Sequence, residues 1–287
     1  MKVSSSVLHF SQYSDSGSPV SVKLAHQSGI ETHSHDFFEL VYVQSGFSLH
    51  ENVKSATLLV EGDLFLVPPG ATHRYVGPHT VDIYNCLFIP EALSGYEKDI
   101  DDLPALKNLL SPKDNSMICK VHLDLDEQKS VSRFLKNMIY ESTNTLPGWQ
   151  VRMKCTLICI LIEFARAFEK HIAPASDKPL YPNYVAKAIG LINERYSDPS
   201  LSVSLIALEA GVTPDYLSRQ FKAFTGVGVQ EYLRRYRFAK ATELLSNGEA
   251  IGDAAFKVGF SSLCHFSREF KKELGVTPSA YVRENRN

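Results

Sequence analysis

The sequence predicts a multidomain α+β chain: a β-barrel at the front, a helical extension, then a separate all-α domain. Three observations predict it. Short runs of β-branched and aromatic residues, broken by turn residues, fill residues 19–89. Apolar residues recur at helical spacing from about residue 127, with a Pro-rich interruption at 172–183. The final stretch contains two copies of one helical unit. At 287 residues, 44% hydrophobic and 22% charged, the composition is ordinary for globular domains and excludes disorder, collagen-like sequence and continuous coiled coil.

In the front part Val20, Val22 and Leu24 alternate with Ser21 and Lys23, the pattern of a half-buried strand. Phe37–Val43, Leu64–Val67 and Val81–Ile89 read as further strands, separated by Ser45-Gly46, Glu61-Gly62 and Pro68-Pro69-Gly70. Residues 127–143 place Val131, Phe134, Leu135 and Met138 on one helical face. After Pro147-Gly148, residues 149–170 form a long helix carrying Leu157, Ile158, Leu161, Ile162 and Ala165. These five exceed what one small barrel needs to cover, so they are candidates for pairing two chains; intramolecular packing is the alternative. The sole tryptophan, Trp149, opens this helix, with core packing as its default role.

The division is 1–110 for the barrel, 111–171 for the helical extension, 172–183 for a linker and 184–287 for the all-α domain. Lys and Arg exceed Asp and Glu by three over residues 185–287, whereas the part before them is acidic, which suits a back half facing a polyanion. The five cysteines (Cys86, Cys119, Cys155, Cys159, Cys264) have no zinc-site spacing; Cys155 and Cys159, four apart in an apolar run, are expected as buried thiols. Residues 1–10 carry no apolar signal segment, and the run Thr156–Ile162 is far shorter than the ~20 residues of a membrane span. The expectation is a soluble, cytoplasmic protein with no membrane partner.

The all-α part repeats itself. Leu217-Ser-Arg-Gln-Phe-Lys222, continuing to Gly226, aligns with Phe266-Ser-Arg-Glu-Phe-Lys271, continuing to Gly275. Each copy reads short helix, Gly-centred turn, second helix, in units at about 204–225 and 252–274. Gly211 supplies the first turn, Thr213 the cap and Pro214 the first helical position; Gly259 and Ser261 play the first two roles in the second copy. Two short helices joined by a tight turn form a helix-turn-helix, whose second helix enters the DNA major groove. Asp215, Ser218, Arg219 and Lys222 share the exposed face of one second helix. Leu263, Cys264, Ser267, Arg268 and Lys271 take that role in the other. Arginine one turn in can read guanine with two hydrogen bonds, and lysine further along can neutralise phosphate.

These motifs, with Ala207-x-x-Ala-Gly211, Arg237-x-x-Lys-Ala-x-x-Leu-Leu245, Val258-Gly-Phe-Ser261 and Gly275-Val-Thr-Pro278, resemble the DNA-binding domain of the AraC/XylS family of bacterial transcription regulators. The resemblance implies two helix-turn-helix units bridged by a long helix at about Val229–Ser246, a double-stranded DNA operator, contact with RNA polymerase and a homodimer. Gly228-Val229 and Tyr281-Val282 depart from the family pattern without touching the groove-facing set.

The barrel part contains His33-Ser-His35-x-x-x-Glu39 and Pro68-x-Gly70-x-x-His73, which resemble the paired cupin motifs. Those motifs imply a cupin-like barrel in which two His, a Glu and a later His can bind a divalent metal. His33 and His35, two apart, point to one face of a strand; Glu39 keeps that parity, and His73 is expected from a facing strand. Sensor domains of the regulator family reuse this barrel, often without metal. Hence no cofactor is expected, and His33, His35, Glu39 and His73 are first candidates for hydrogen bonds to a small polar effector such as a sugar. The same four are candidates for a metal site. The layout around Tyr84-Asn85-Cys86 looks somewhat like rhamnose-type sugar regulators. The reading is a ligand-responsive transcription factor, not an enzyme and more an activator than a repressor. A metalloenzyme using the same residues and a DNA-binding protein that senses nothing are the alternatives.

Overall fold

The computed structural model describes residues 6–14, 17–27, 30–52, 56–76, 81–111, 119–171 and 183–284. Ten strands form the front: β1 (Ser6–Leu8), β2 (Val20–Gln27), β3 (Ile30–His35), β4 (Phe38–Ser45), β5 (Phe47–Asn52), β6 (Ala56–Val60), β7 (Asp63–Val67), β8 (His73–Val76), β9 (Val81–Phe88) and β10 (Cys119–His122). They make two five-stranded sheets, in the orders β1-β3-β8-β5-β6 and β10-β7-β4-β9-β2. All pairs are antiparallel except β1 with β3. Val41, Val43, Phe65, Val67, Tyr75 and Ile83 line the space between the sheets, and none is more than 3% exposed. Strand β10 comes from the stretch assigned by sequence to the helical extension, and it completes the edge of the second sheet beside β7.

Helices α1 (Glu97–Asp101), α2 (Pro104–Leu110), α3 (Leu125–Asn144) and α4 (Trp149–His171) cover the outer face of that second sheet. Asp124 caps α3 by accepting from the backbone of Asp126 and Glu127, while the Glu127 carboxylate accepts from the Asp124 amide. Trp149 packs half-buried against this layer.

Helix α4 corrects two expectations. Leu157, Leu161 and Ala165 are buried against their own sheet together with Met153, Ile160 and Phe164, so they are not available to a second chain. Ile158 and Ile162 lie half-buried at the edges of that face. Cys155 and Cys159 are exposed rather than buried, because they fall with Val151 on the opposite side of the helix. Cys86 and Cys119 are the buried pair.

The back of the chain is all helical: α5 (Asn183–Arg195), α6 (Val203–Ala210), α7 (Pro214–Thr225), α8 (Val229–Ser246), α9 (Ile251–Lys257), α10 (Leu263–Leu274) and α11 (Pro278–Glu284). Of the expected linker, residues 172–182 lie outside the described residues, and Asn183 opens α5. The bridging helix α8 spans the predicted residues and buries Tyr232, Leu233, Tyr236, Phe238 and Leu245.

This helical core is continuous with the outer face of the first sheet, where Phe47, Leu49, Leu58, Val60 and Val76 are buried in the same cluster as the helices. The Leu58 amide donates to the Tyr232 hydroxyl at 3.0 Å, and the Asn193 side-chain amide donates to the Ala56 carbonyl at 2.8 Å. Glu51 pairs with Lys240 and with Arg74, and Arg74 reaches Glu243 at 2.9 Å. Strands β5 and β8 therefore carry buried residues on both faces.

Candidate functional site

The two helix-turn-helix units are built alike. In the first, Gly211 takes φ +77°, a left-handed turn open to glycine without strain, and the Thr213 hydroxyl accepts from the Tyr216 amide at 3.3 Å. In the second, Gly259 takes φ +88°. The cap there is Ser262 rather than Ser261: Ser262 holds the extended backbone of an N-cap, and its hydroxyl accepts from the His265 amide at 3.4 Å. Both second helices end the same way, with Gly226 donating to the Lys222 carbonyl and Gly275 to the Lys271 carbonyl, each at 2.9 Å.

Helix α7 buries Leu217, Phe221 and Thr225, and α10 buries Phe266 and Phe270. That leaves Asp215, Ser218, Arg219, Lys222, Leu263, Cys264, Arg268 and Lys271 exposed, with Ser267 half-buried. The cations of α8 differ from those on the exposed faces of α7 and α10. On α8, Arg234 and Arg235 pair with Glu273, Arg237 donates to the carbonyls of Tyr196 and Asp198, and Lys240 pairs with Glu51. Among the described residues, Arg219, Lys222, Arg268 and Lys271 have no ion pair or hydrogen-bonded side-chain partner. The α8 guanidinium groups are committed inward, while Arg219 and Arg268, like Arg283 on α11, keep their donors for an external acceptor.

The barrel site lies between the sheets. His33 and His35 on β3 join His73 on β8, with His33 directly opposite His73 across that strand pair. Glu39 comes from β4 in the other sheet. This reverses the expected arrangement, because the bend at Asp36-Phe37 ends β3 and carries the chain across the barrel. His73 is thus the sheet neighbour and Glu39 the facing residue. Ligand atoms of His33, Glu39 and His73 lie within 4.8 Å of one another. His35 joins through Glu39: Nε2 of His35 and Nε2 of His73 each stand 3.3 Å from Glu39 Oε2.

The other ring nitrogens are committed. Nδ1 of His33 faces the Glu31 carbonyl at 2.9 Å, that of His35 the Phe37 carbonyl at 2.7 Å, and that of His73 the Ala71 carbonyl at 3.3 Å. A carbonyl only accepts, so Nδ1 carries the hydrogen and Nε2 of a neutral ring presents a lone pair inward. Glu39 Oε1 accepts from the Asn85 amide at 2.7 Å, which aims Oε2 at the rings. His35 Nε2, His73 Nε2 and Glu39 Oε2 are buried without a hydrogen-bond partner. Burial alone would raise the Glu39 carboxyl, but hydrogen bonds from His35 and His73, donated when Nε2 carries a proton, outweigh it and hold it well below its ordinary value. Burial, then the neighbouring His73, lowers His33. Facing acceptors of this kind need a positive particle between them, either a proton or a metal ion. Three imidazoles and one carboxylate, each ring oriented by a carbonyl behind it, fit a divalent transition metal.

Two residues of this interior were not singled out from sequence, His50 on β5 and Tyr75 on β8. His50 lies 5.0 Å from His73, ring to ring, and 5.0 Å from Tyr75. The period-two signal that would have found His50 is absent, because Phe47 and Leu49 on the other face of β5 are as buried as Ser48 and His50.

Among the described residues no helix is long and apolar enough to cross a membrane. A family model described as an AraC-like ligand binding domain matches residues 23–134, and one described as a helix-turn-helix domain matches residues 206–284. The HTH-type transcriptional activator RhaR of Escherichia coli is 24% identical over 258 residues, 88% of this chain and 87% of the relative. Its namesake in Mannheimia succiniciproducens is 24% identical over 278 residues, 95% of each chain. Among solved structures, the C-terminal domain of AraT, a response regulator from Geobacillus stearothermophilus, is 35% identical, covering 36% of this chain and 86% of that one with a TM-score of 0.35. With its ligand-binding barrel in front and paired helix-turn-helix units behind, the chain belongs to the AraC/XylS family of DNA-binding transcription regulators.

Proposed function

We propose that the chain is an effector-gated transcriptional activator that reads a two-box operator with α7 and α10. The observation that carries this is the division of the cations: Arg219, Lys222, Arg268 and Lys271 stand free on two matched helices, while the bridging helix has its own paired. Arg219 and Arg268 read base edges, Lys222 and Lys271 hold phosphates, and Asp215 and Ser218 flank the first contact. Leu263 and Cys264, the least polar of the set, meet thymine methyls, and Ser267 completes that face. Activation follows the curated relatives, both activators by name, and implies contact with RNA polymerase in the cytoplasm. Two copies would pair through the exposed side of α4, where Ile158 and Ile162 border Val151.

The effector is a small polar metabolite bound between the sheets by His33, His35, Glu39 and His73, in a site that serves regulation rather than catalysis. The inward lone pairs and the unpartnered carboxylate oxygen support a divalent cation at the same four residues. Such a cation would supply a fixed positive charge for effector oxygens. Coupling to DNA runs through β5 and β8. These strands present His50 and His73 inward and Glu51 and Arg74 to α8, so an effector that binds one sheet arrangement better shifts the seating of the helical domain.

Metal analysis of the purified protein and a thermal-shift screen of metabolites, with and without added metal, test the barrel reading. A specific ligand should raise the melting temperature, and His73→Ala should abolish the rise. A metabolite whose effect survives His73→Ala, or a screen in which nothing shifts the transition, would count against it.

A further inference from the structure

We propose that His50 and Tyr75 are the recognition pair for a small hydroxycarboxylate seated beside the cation site. The inference rests on the cation reading of His33, His35, Glu39 and His73, and it names the class of effector.

Position comes first. His50 and Tyr75 face each other in register across β5 and β8, with their rings at 82°. His50 also stacks on His73 at 23°. The pair therefore borders the metal-type residues on one side and continues the same inner surface. Both residues are almost fully buried, at 2% and 3% exposure. His50 Nε2 and the Tyr75 hydroxyl each lack a hydrogen-bond partner. Buried polar atoms are nearly always satisfied, so two adjacent orphans next to an unpartnered carboxylate oxygen point to a bound molecule that satisfies them.

Charge and surroundings define that molecule. A divalent cation held by one carboxylate keeps a net positive charge inside the barrel, and such a charge is costly without an anion. The Tyr75 hydroxyl is a donor, and a neutral imidazole can donate or accept, so the pair suits a ligand with a hydroxyl beside a carboxylate. Past the pair the walls turn apolar, with Phe65 5.4 Å from His50 and Val41, Val67 and Ile83 in the same cluster. A polyhydroxylated sugar would bury further hydroxyls against hydrocarbon there, whereas a short hydroxy acid carries its polar groups at one end.

The test uses the full chain, stripped with chelator and reloaded with Co²⁺, whose visible absorption reports its ligands. Lactate is the probe, and 1,2-propanediol, its neutral analogue, is the control. Wild type should take up Co²⁺ and change its spectrum with lactate but not with the diol. Tyr75→Phe, which removes only the hydroxyl, and His50→Asn should bind Co²⁺ within about threefold of wild type and lactate about tenfold more weakly. Circular dichroism checks that both variants are folded. Equal lactate affinity in wild type and variants, a diol as effective as lactate, or no lactate response in the loaded wild type would each overturn the pair. Failure of wild type to take up Co²⁺ would show in the metal titration alone, before lactate is added. It would remove the cation reading and the proposal with it.

Discussion

Gly211 and Gly259 occupy equivalent turns with nearly the same backbone, φ +77° and φ +88°, yet their surroundings differ. A Cβ built on Gly211 meets nothing within 4 Å. A Cβ on Gly259 would lie 2.7 Å from the Tyr196 carbonyl oxygen and 3.0 Å from both Ser197 C and Arg237 Nη2. That carbonyl is held by Arg237, which donates to it at 2.7 Å and to the Asp198 carbonyl at 2.8 Å, so it cannot yield without breaking the tie between α8 and the end of α5. Alanine at either site costs ~1–2 kcal/mol for the left-handed backbone. At Gly259 the clash with fixed backbone adds ~1–3 kcal/mol. One kcal/mol moves the midpoint of a domain of 60–100 residues by about 4–8 °C, so Gly259→Ala should melt at least about 4 °C below Gly211→Ala. A thermal scan of both full-length variants decides it. Equal losses would mean that φ alone sets the cost and that the Gly259–Tyr196 approach contributes nothing.

Tyr232→Phe should leave the buried Leu58 amide without its acceptor, cost ~1–3 kcal/mol of domain contact, and speed hydrogen exchange at that amide; unchanged exchange would refute the contact. Burial alone would raise the Glu51 carboxyl, but its bonds and charge contacts with Lys240 and Arg74 hold it below its ordinary value. Its contribution is therefore complete above the unfolded carboxyl's value near ~4.3 and lost as pH falls through the folded one. The stability difference between wild type and Glu51→Gln, about 1.5–3 kcal/mol, should be flat across neutral pH and shrink in acid; a difference that grew in acid would contradict this. An alkylating agent should label Cys155, Cys159 and Cys264 in the native protein and spare Cys86 and Cys119, as peptide mapping would report.

How far the sequence could be read follows from how each element is buried. The helix-turn-helix pair was legible because α7 and α10 are amphipathic, one face in the core and one in solvent, and because their caps use residue types that do little else. The four barrel residues were legible by motif, but their arrangement was not: parity along a strand says which residues share a face and nothing about a chain crossing from one sheet to the other at Asp36-Phe37. Strand β5 hid His50 because the helical domain covers its outer face, erasing the alternation. In α4 the apolar run was plain, yet its direction depends on which side meets the sheet. Leu157, Leu161 and Ala165 turn inward, and only Ile158 and Ile162 reach the rim. The contacts of Tyr232, Asn193 and Lys240 with the barrel leave no local trace, since their partners lie far away in the chain.

The central claim is that two matched helices read two stretches of one DNA duplex. Selection of binding sites from a random DNA pool by the full chain, repeated with Arg219→Ala and Arg268→Ala, tests it most directly. The wild type should enrich two boxes about one helical turn, ~10–10.5 base pairs, apart. Arg219→Ala should lose preference in one box and Arg268→Ala in the other, each at a cost of ~1–3 kcal/mol. Enrichment of no site, or of one unchanged site by all three proteins, would contradict the account.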